Sequence, residues 1–176
     1  MRGKNMKKAF FITFFFILIE AQLSSGLMLG MHLRSLAAES ELIVRGRVHH
    51  IECHWSEDKT AILSVARIEI RELIAGVSPG RSIEVTWPGG QIGDIAMKQS
   101  DEPEFFTHED VLLFLHQPDI QTSLVFRVVG KAQGKYSIDK NDIARKGGFT
   151  VPAPDAVNVE NQINVQQLIK KIHEAR

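Results

Sequence analysis

Two long stretches of this chain alternate apolar and polar positions with the period of a β-strand. In residues 42–55, Leu42, Val44, Gly46 and Val48 share one side. The phase then shifts, and Ile51, Cys53 and Trp55 take the apolar side, which predicts a bulge near His49 and His50. In residues 60–74, Ile62, Ser64, Ala66, Ile68 and Ile70 share one face, opposite Leu63, Val65, Arg67, Glu69 and Arg71. A polar turn, Ser56 to Lys59, separates the two. Ile83, Val85 and Trp87 alternate in a third strand that Pro88, Gly89 and Gly90 stop. Trp55 and Trp87 both fall on the apolar phase and are expected in the core. Residues 111–115 (VLLFL) form a continuous apolar run, short enough for a buried strand. Residues 124–129 and 134–138 predict a hairpin, with Gly130 and Gly134 marking its bend.

Helical spacing brackets these strands. Leu33, Leu36 and Ala37 lie on one face of a short segment, residues 31–39. Val165, Leu168, Ile169 and Ile172 form an apolar stripe over residues 164–175, for which Asn164 is the predicted N-cap. The sum is a mainly β domain of five or six strands with a short N-terminal helix and a C-terminal helix. Long strands with a bulge favour a curled sheet, so the expected architecture is a small OB-like barrel, with a β-sandwich as the alternative.

Two stretches lack a period. Residues 91–110 are acidic and irregular; Ile92, Ile95 and Met97 are expected to tuck part of the loop onto the body, and Phe105 and Phe106 to anchor its far end. The two phenylalanines cannot point the same way on an extended chain, so one of them is free to face solvent. Residues 139–154 are polar, carry Gly147, Gly148 and two prolines, and read as a surface linker. The expected division is a leader at 1–26, a barrel at 27–142, a linker at 143–162 and a packed helix at 163–176.

The leader has the layout of a secretory signal peptide. Arg2, Lys4, Lys7 and Lys8 precede the apolar run of residues 9–19, which Glu20 ends and the small residues Ser24, Ser25 and Gly26 follow. The run is about half the length that a membrane span needs, although an uncleaved anchor is the alternative. The address implied is outside the cytoplasm, periplasmic or extracellular, with membrane contact only through this segment if it stays uncut.

Composition narrows the partner class. Without residues 1–26 the chain keeps 17 basic and 20 acidic side chains, a net charge of −3 with histidine neutral. That sign argues against a nucleic-acid partner held by charge. Cys53 is the single cysteine, so no internal disulfide forms, and its type favours burial as a small hydrophobe.

Four segments together resemble a group of exported bacterial proteins: Ser40 to Val48 (SELIVRGRV), Ile83 to Gly90 (IEVTWPGG), Leu112 to Leu115 (LLFL) and Val128 to Tyr136 (VVGKAQGKY). The resemblance spans residues 33–138 and implies an exported domain without assigning it an activity. The opening strand is also similar to the OB-type barrel of tissue inhibitors of metalloproteinases and netrin-like modules, which implies a barrel. Those inhibitors chelate their target's metal through an N-terminal cysteine and depend on disulfides. Cys53 lies far from the leader and has no partner, so that mechanism does not carry over.

Two constellations stand out as sites. The first is the long loop after the third strand, with Gly89, Gly90, Gln91, Phe105 and Phe106 as the binding residues, because long loops on rigid scaffolds carry binding. The partner expected there is a protein or a cell-envelope component, and no cofactor is implied. The second is the strand face of His50, Glu52 and His54, which share a side at spacing two. Imidazole and carboxylate suit zinc, so a zinc-dependent exported enzyme or metal carrier is the alternative reading. Ligands two apart on a straight strand stand about 7 Å from each other, which requires the strand to bend. The glycines after the third strand lack the lysine and helix of a phosphate loop, and no serine sits in a nucleophile elbow. A non-enzymatic binding module is the reading these observations favour.

Overall fold

The computed structural model describes residues 30–77, 79–118, 124–147 and 161–176. The leader expected at 1–26 lies outside the described residues, as does most of the expected linker. Among the described residues no helix is long and apolar enough to cross a membrane.

The chain is mainly β. Helix α1 (Leu33–Glu39) leads into β1 (Leu42–Trp55), β2 (Ile62–Ala75) and β3 (Ser82–Pro88). Two short strands follow, β4 (Gly90–Ile92) and β5 (Ile95–Met97), then β6 (Asp110–His116) and β7 (Val125–Val128). A single 3-10 turn (Lys131–Gly134) joins β7 to β8 (Lys135–Ile138), and β9 (Ile143–Lys146), β10 (Gln162–Asn164) and α2 (Val165–Ala175) complete the chain.

Five of these strands form a ring. β1 pairs antiparallel with β2, β2 with β3, β7 with β6 and β6 with β1, while β3 and β7 meet in parallel at Glu84–Val125 and Val85–Phe126. This is the OB-like barrel expected from the strand lengths. The bulge expected near His49 is present as a register shift between Val48 and His50, one of three shifts that bend β1 around the ring.

Two apolar layers hold the fold, and β6 belongs to both. Val111, Leu113 and Leu115 face the barrel interior with Leu42, Val44, Val48, Ile68 and Val85. Leu112 and Phe114 face the other way, toward Leu36, Tyr136, Leu168 and Ile172 of the helical layer. A strand buried on both faces has no polar phase, which is why VLLFL is continuous. Asn164 caps α2 as expected, its side chain accepting a hydrogen bond from the Gln166 N–H at 2.9 Å.

Three expectations are corrected. Residues 124–129 and 134–138 do not form a hairpin: β7 and β8 both run antiparallel to β6, end to end along the edge that β1 leaves free, with the 3-10 turn as an insertion between them. Gly134 makes that insertion possible, since a Cβ there would lie 2.1 Å from the Val129 carbonyl oxygen. Residues 143–146, expected as linker, are strand β9, paired with β8 and with β10. Trp55 is not in the core: β1 overshoots the barrel, and its last residue is exposed while Trp87 is buried.

Candidate functional site

The acidic stretch after β3 is where the irregular backbone collects, and it builds a cleft at one end of the barrel. β4 and β5 form a small hairpin of their own, paired Gly90–Met97, Gln91–Ala96 and Ile92–Ile95. The segment Gln99 to Phe105 forms the opposite wall. Between them lies a cleft of about 300 Å³, floored by Ile51, Cys53, Ser64 and Trp87.

The hairpin is tied to the barrel through backbone. The Gly89 N–H donates to the Ile62 carbonyl at 2.8 Å, and the Ser64 hydroxyl donates to the Gly89 carbonyl at 2.6 Å. Gly90 then crosses so close above β1 and β2 that a Cβ would lie 2.4 Å from Ser64 Oγ and 2.7 Å from Cys53 Sγ, at a φ of +126° that glycine alone adopts freely. Cys53 is half-buried rather than buried, its Sγ 3.3 Å from Ser64 Oγ.

The other wall is pinned by the turn between β7 and β8. The Ala132 N–H donates to the Asp101 carbonyl at 2.9 Å, and the Lys131 ammonium pairs with the Asp101 carboxylate. That hydrogen bond holds Asp101 below its ordinary carboxylate range and raises Lys131. Lys135 is the deepest anchor, its side chain only 5% exposed. Its Nζ donates to the Glu104 carbonyl at 2.6 Å, to Glu109 Oε1 at 2.8 Å and to Ser137 Oγ at 3.2 Å. Burial pushes the Lys135 ammonium below its ordinary value, against the opposing pull of Glu109. On the cleft wall itself, burial raises the Glu102 carboxyl.

The two sequence constellations fare differently. Gly90, Gln91 and Phe105 all line the cleft, and Gly89 lies buried just behind it. Phe105 is buried against Trp87, ring centroids 4.9 Å apart, whereas Phe106 is exposed and does not line the cleft. His50, Glu52 and His54 share the outward face of β1 and are all exposed. His50 Nε2 lies 3.2 Å from Glu52 Oε1, and among the described residues no three or more His, Cys, Asp or Glu side chains gather in a metal-holding group.

The loop from Gly89 to Phe106 is the binding surface expected from sequence, but sequence reasoning does not single out Met97, Lys98, Glu102 and Pro103 within it, nor foresee the anchors from Lys131 to Ser137. The signal for the floor was present: Cys53, Ser64 and Trp87 each occupy the inward phase of their strands. Neither a scan against protein-family models nor a search of curated proteins returns a match to the chain.

Proposed function

We propose that the protein is an exported, non-enzymatic β-barrel that binds a protein or a cell-envelope component through the cleft beneath the β4–β5 hairpin. The observation that carries this reading is the cleft's construction. The β4–β5 hairpin pairs only with itself, yet each wall is fastened to the rest of the fold by named hydrogen bonds. Fixed walls reduce the ordering cost of binding. The lining mixes an apolar floor with a few polar groups, Gln91, Gln99, Lys98 and Glu104, as ligand clefts do. Among the described residues its lining has no histidine, and the one hydroxyl on its floor donates to the Gly89 carbonyl. The leader supports export.

The test is capture from cell-envelope extract on the immobilised protein, compared with Ala96→Trp. Ala96 is exposed on β5 and lines the cleft, so the indole fills the space without touching the core. Capture of a partner that is lost in Ala96→Trp, at an unchanged melting temperature, is expected. Equal capture by both proteins removes the cleft from the reading.

A further inference from the structure

Among the described residues, the second half of β1 carries an open edge. β6 pairs with β1 only from Leu42 to Arg47, and the two bonds that extend this contact, Val48 N–H to the Glu109 carbonyl and His108 N–H to the Val48 carbonyl, end at Val48. From His50 to Trp55 β1 pairs with β2 alone among the described residues, in unbroken register.

The backbone groups that face this edge follow from the antiparallel ladder. Ile62 gives its carbonyl to the Gly89 N–H, on the β3 side. The Trp55–Ile62 pair is therefore one of the pairs that do not exchange hydrogen bonds, and the next pair, Ser56 with Ala61, does bond, at 2.8 Å. Alternation along the ladder makes Cys53–Ser64 and Ile51–Ala66 non-bonded pairs too. The N–H and C=O groups of Ile51, Cys53 and Trp55 consequently point away from β2, into the open edge. Natural edges are usually blunted by lysine, proline or a bulge. Residues 50–55 (HIECHW) contain neither residue, and the bulge lies before them.

We infer that this edge is a homodimerisation surface, in which β1 of one copy pairs antiparallel with β1 of a second copy about a two-fold axis at Cys53. The sequence is self-complementary in that register. Ile51 lies opposite Trp55 of the second copy, Glu52 opposite His54, and Cys53 opposite Cys53. Every carboxylate on the outward face meets an imidazole and no like charges are juxtaposed, the arrangement that favours a cross-strand pair. On the inward face, the exposed Trp55 gains an apolar neighbour that its own barrel does not supply. The three outward-pointing residues of each copy give about six backbone hydrogen bonds. A contact of this length falls below the area of a standard stable interface, so the dimer is weak and concentration-dependent.

The test uses sedimentation velocity of the purified protein over a wide concentration range, with a short thiol-specific cross-linker as the second readout. Directly opposite residues place their Cβ atoms about 5 Å apart, and Cys53 is the only cysteine, so a short cross-link joins Cys53 of one copy to Cys53 of the other, and the charge variants below read the register. The expected result is a monomer–dimer equilibrium and a dimer cross-linked through Cys53. Glu52→Lys should weaken association about tenfold, since symmetry breaks two Glu–His pairs at once, and adding His54→Glu should restore it. Both side chains are exposed, so neither change threatens the fold. A monomer at every concentration, or a dimer that neither cross-links nor responds to Glu52→Lys, overturns the inference. The wild-type readings decide association and its contact at Cys53 without any variant.

Discussion

The Lys135 ammonium lies 4.9 Å from the centroid of the Phe105 ring, and the same ring packs on Trp87. Phe105 is thus held between a buried cation and the indole that floors the cleft. Contacts of this kind strengthen as water is excluded. The wall of the cleft and the start of β8 are one unit, although 30 residues separate them in sequence.

Lys135→Met tests that unit. The thioether keeps most of the stem's volume, so the loss falls on the hydrogen bonds. Glu109 is left without its ammonium partner and the Glu104 carbonyl loses its donor. Removing one side of a buried ion pair is costly, and a destabilisation of about 3 kcal/mol is expected by urea unfolding. Stability should also respond to pH. Burial depresses the folded pKa of Lys135 below its ordinary 10.5, so between the two values the unfolded chain binds the proton more tightly. Stability contributed by this group therefore rises with pH across that window. The rise should vanish in Lys135→Met, and an unchanged alkaline profile would exclude Lys135 as its source.

Adjacent phenylalanines should behave as opposites. Phe105→Ala removes a buried ring from the barrel cluster and should cost about 3–5 kcal/mol. Phe106 is 59% exposed, so Phe106→Ala should stay within about 0.5 kcal/mol of the parent. Equal thermal shifts for the two variants would contradict the assignment of which ring is inside.

The long strands are legible in the sequence because their inner faces meet one apolar interior, so each second residue of β2 and β3 repeats the same constraint. The helices are legible for the same reason at helical spacing. Trp55 misleads because apolar phase reports a core only while a strand has a barrel beneath it, and β1 runs past its own. The path from β7 to β8 misleads because two glycines flank a turn in either case. Only pairing with β6, a contact distant in sequence, distinguishes a hairpin from an interrupted strand. The cleft was half visible: Gly90, Gln91 and Phe105 announce it by breaking the pattern. Its anchors are lysines and acids whose meaning depends on what lies opposite in space. Lys131 and Lys135 read as hairpin polar residues until Asp101 and Glu109 are brought to them.

Gly90→Ala should show how closely the cleft floor is fitted. The new methyl would press on Ser64 Oγ and Cys53 Sγ at a φ that alanine adopts with strain. A cost of about 1–3 kcal/mol is expected from the backbone conformation alone. The hairpin must lift to relieve the overlap, so Cys53 should react faster with a thiol reagent than in the parent. Faster reaction together with a lowered melting temperature is the expected pair of results. A lowered melting temperature with unchanged thiol reactivity would show that the strain is absorbed elsewhere.

Metal chelation bears on the outward face of β1. His50 and Glu52 touch each other, and among the described residues no third ligand joins them into a metal-holding group. The expected outcome is that chelator leaves the melting temperature unchanged and that added zinc does not raise it. A zinc-dependent rise that disappears in His54→Ala would instead establish the three-residue site, since a ligand that binds only the folded state stabilises it.

The turn between β1 and β2 should be sensitive to acid. The Asp58 carboxylate accepts from the Ser56 hydroxyl at 2.6 Å, the Thr60 hydroxyl at 2.7 Å and the Thr60 N–H at 3.2 Å. These bonds favour the ionised form and lower its pKa from 3.8 to about 2. A folded pKa below the unfolded one means that the unfolded chain binds the proton more tightly in that window. The turn's contribution is therefore complete above the ordinary carboxylate range and is lost as pH falls through about 2. An NMR titration of the Asp58 carboxyl should show its midpoint near about 2 in the parent and nearer the ordinary value in Ser56→Ala. Because the Ser56 hydroxyl makes the largest contribution, a midpoint unmoved by Ser56→Ala would place the cause elsewhere.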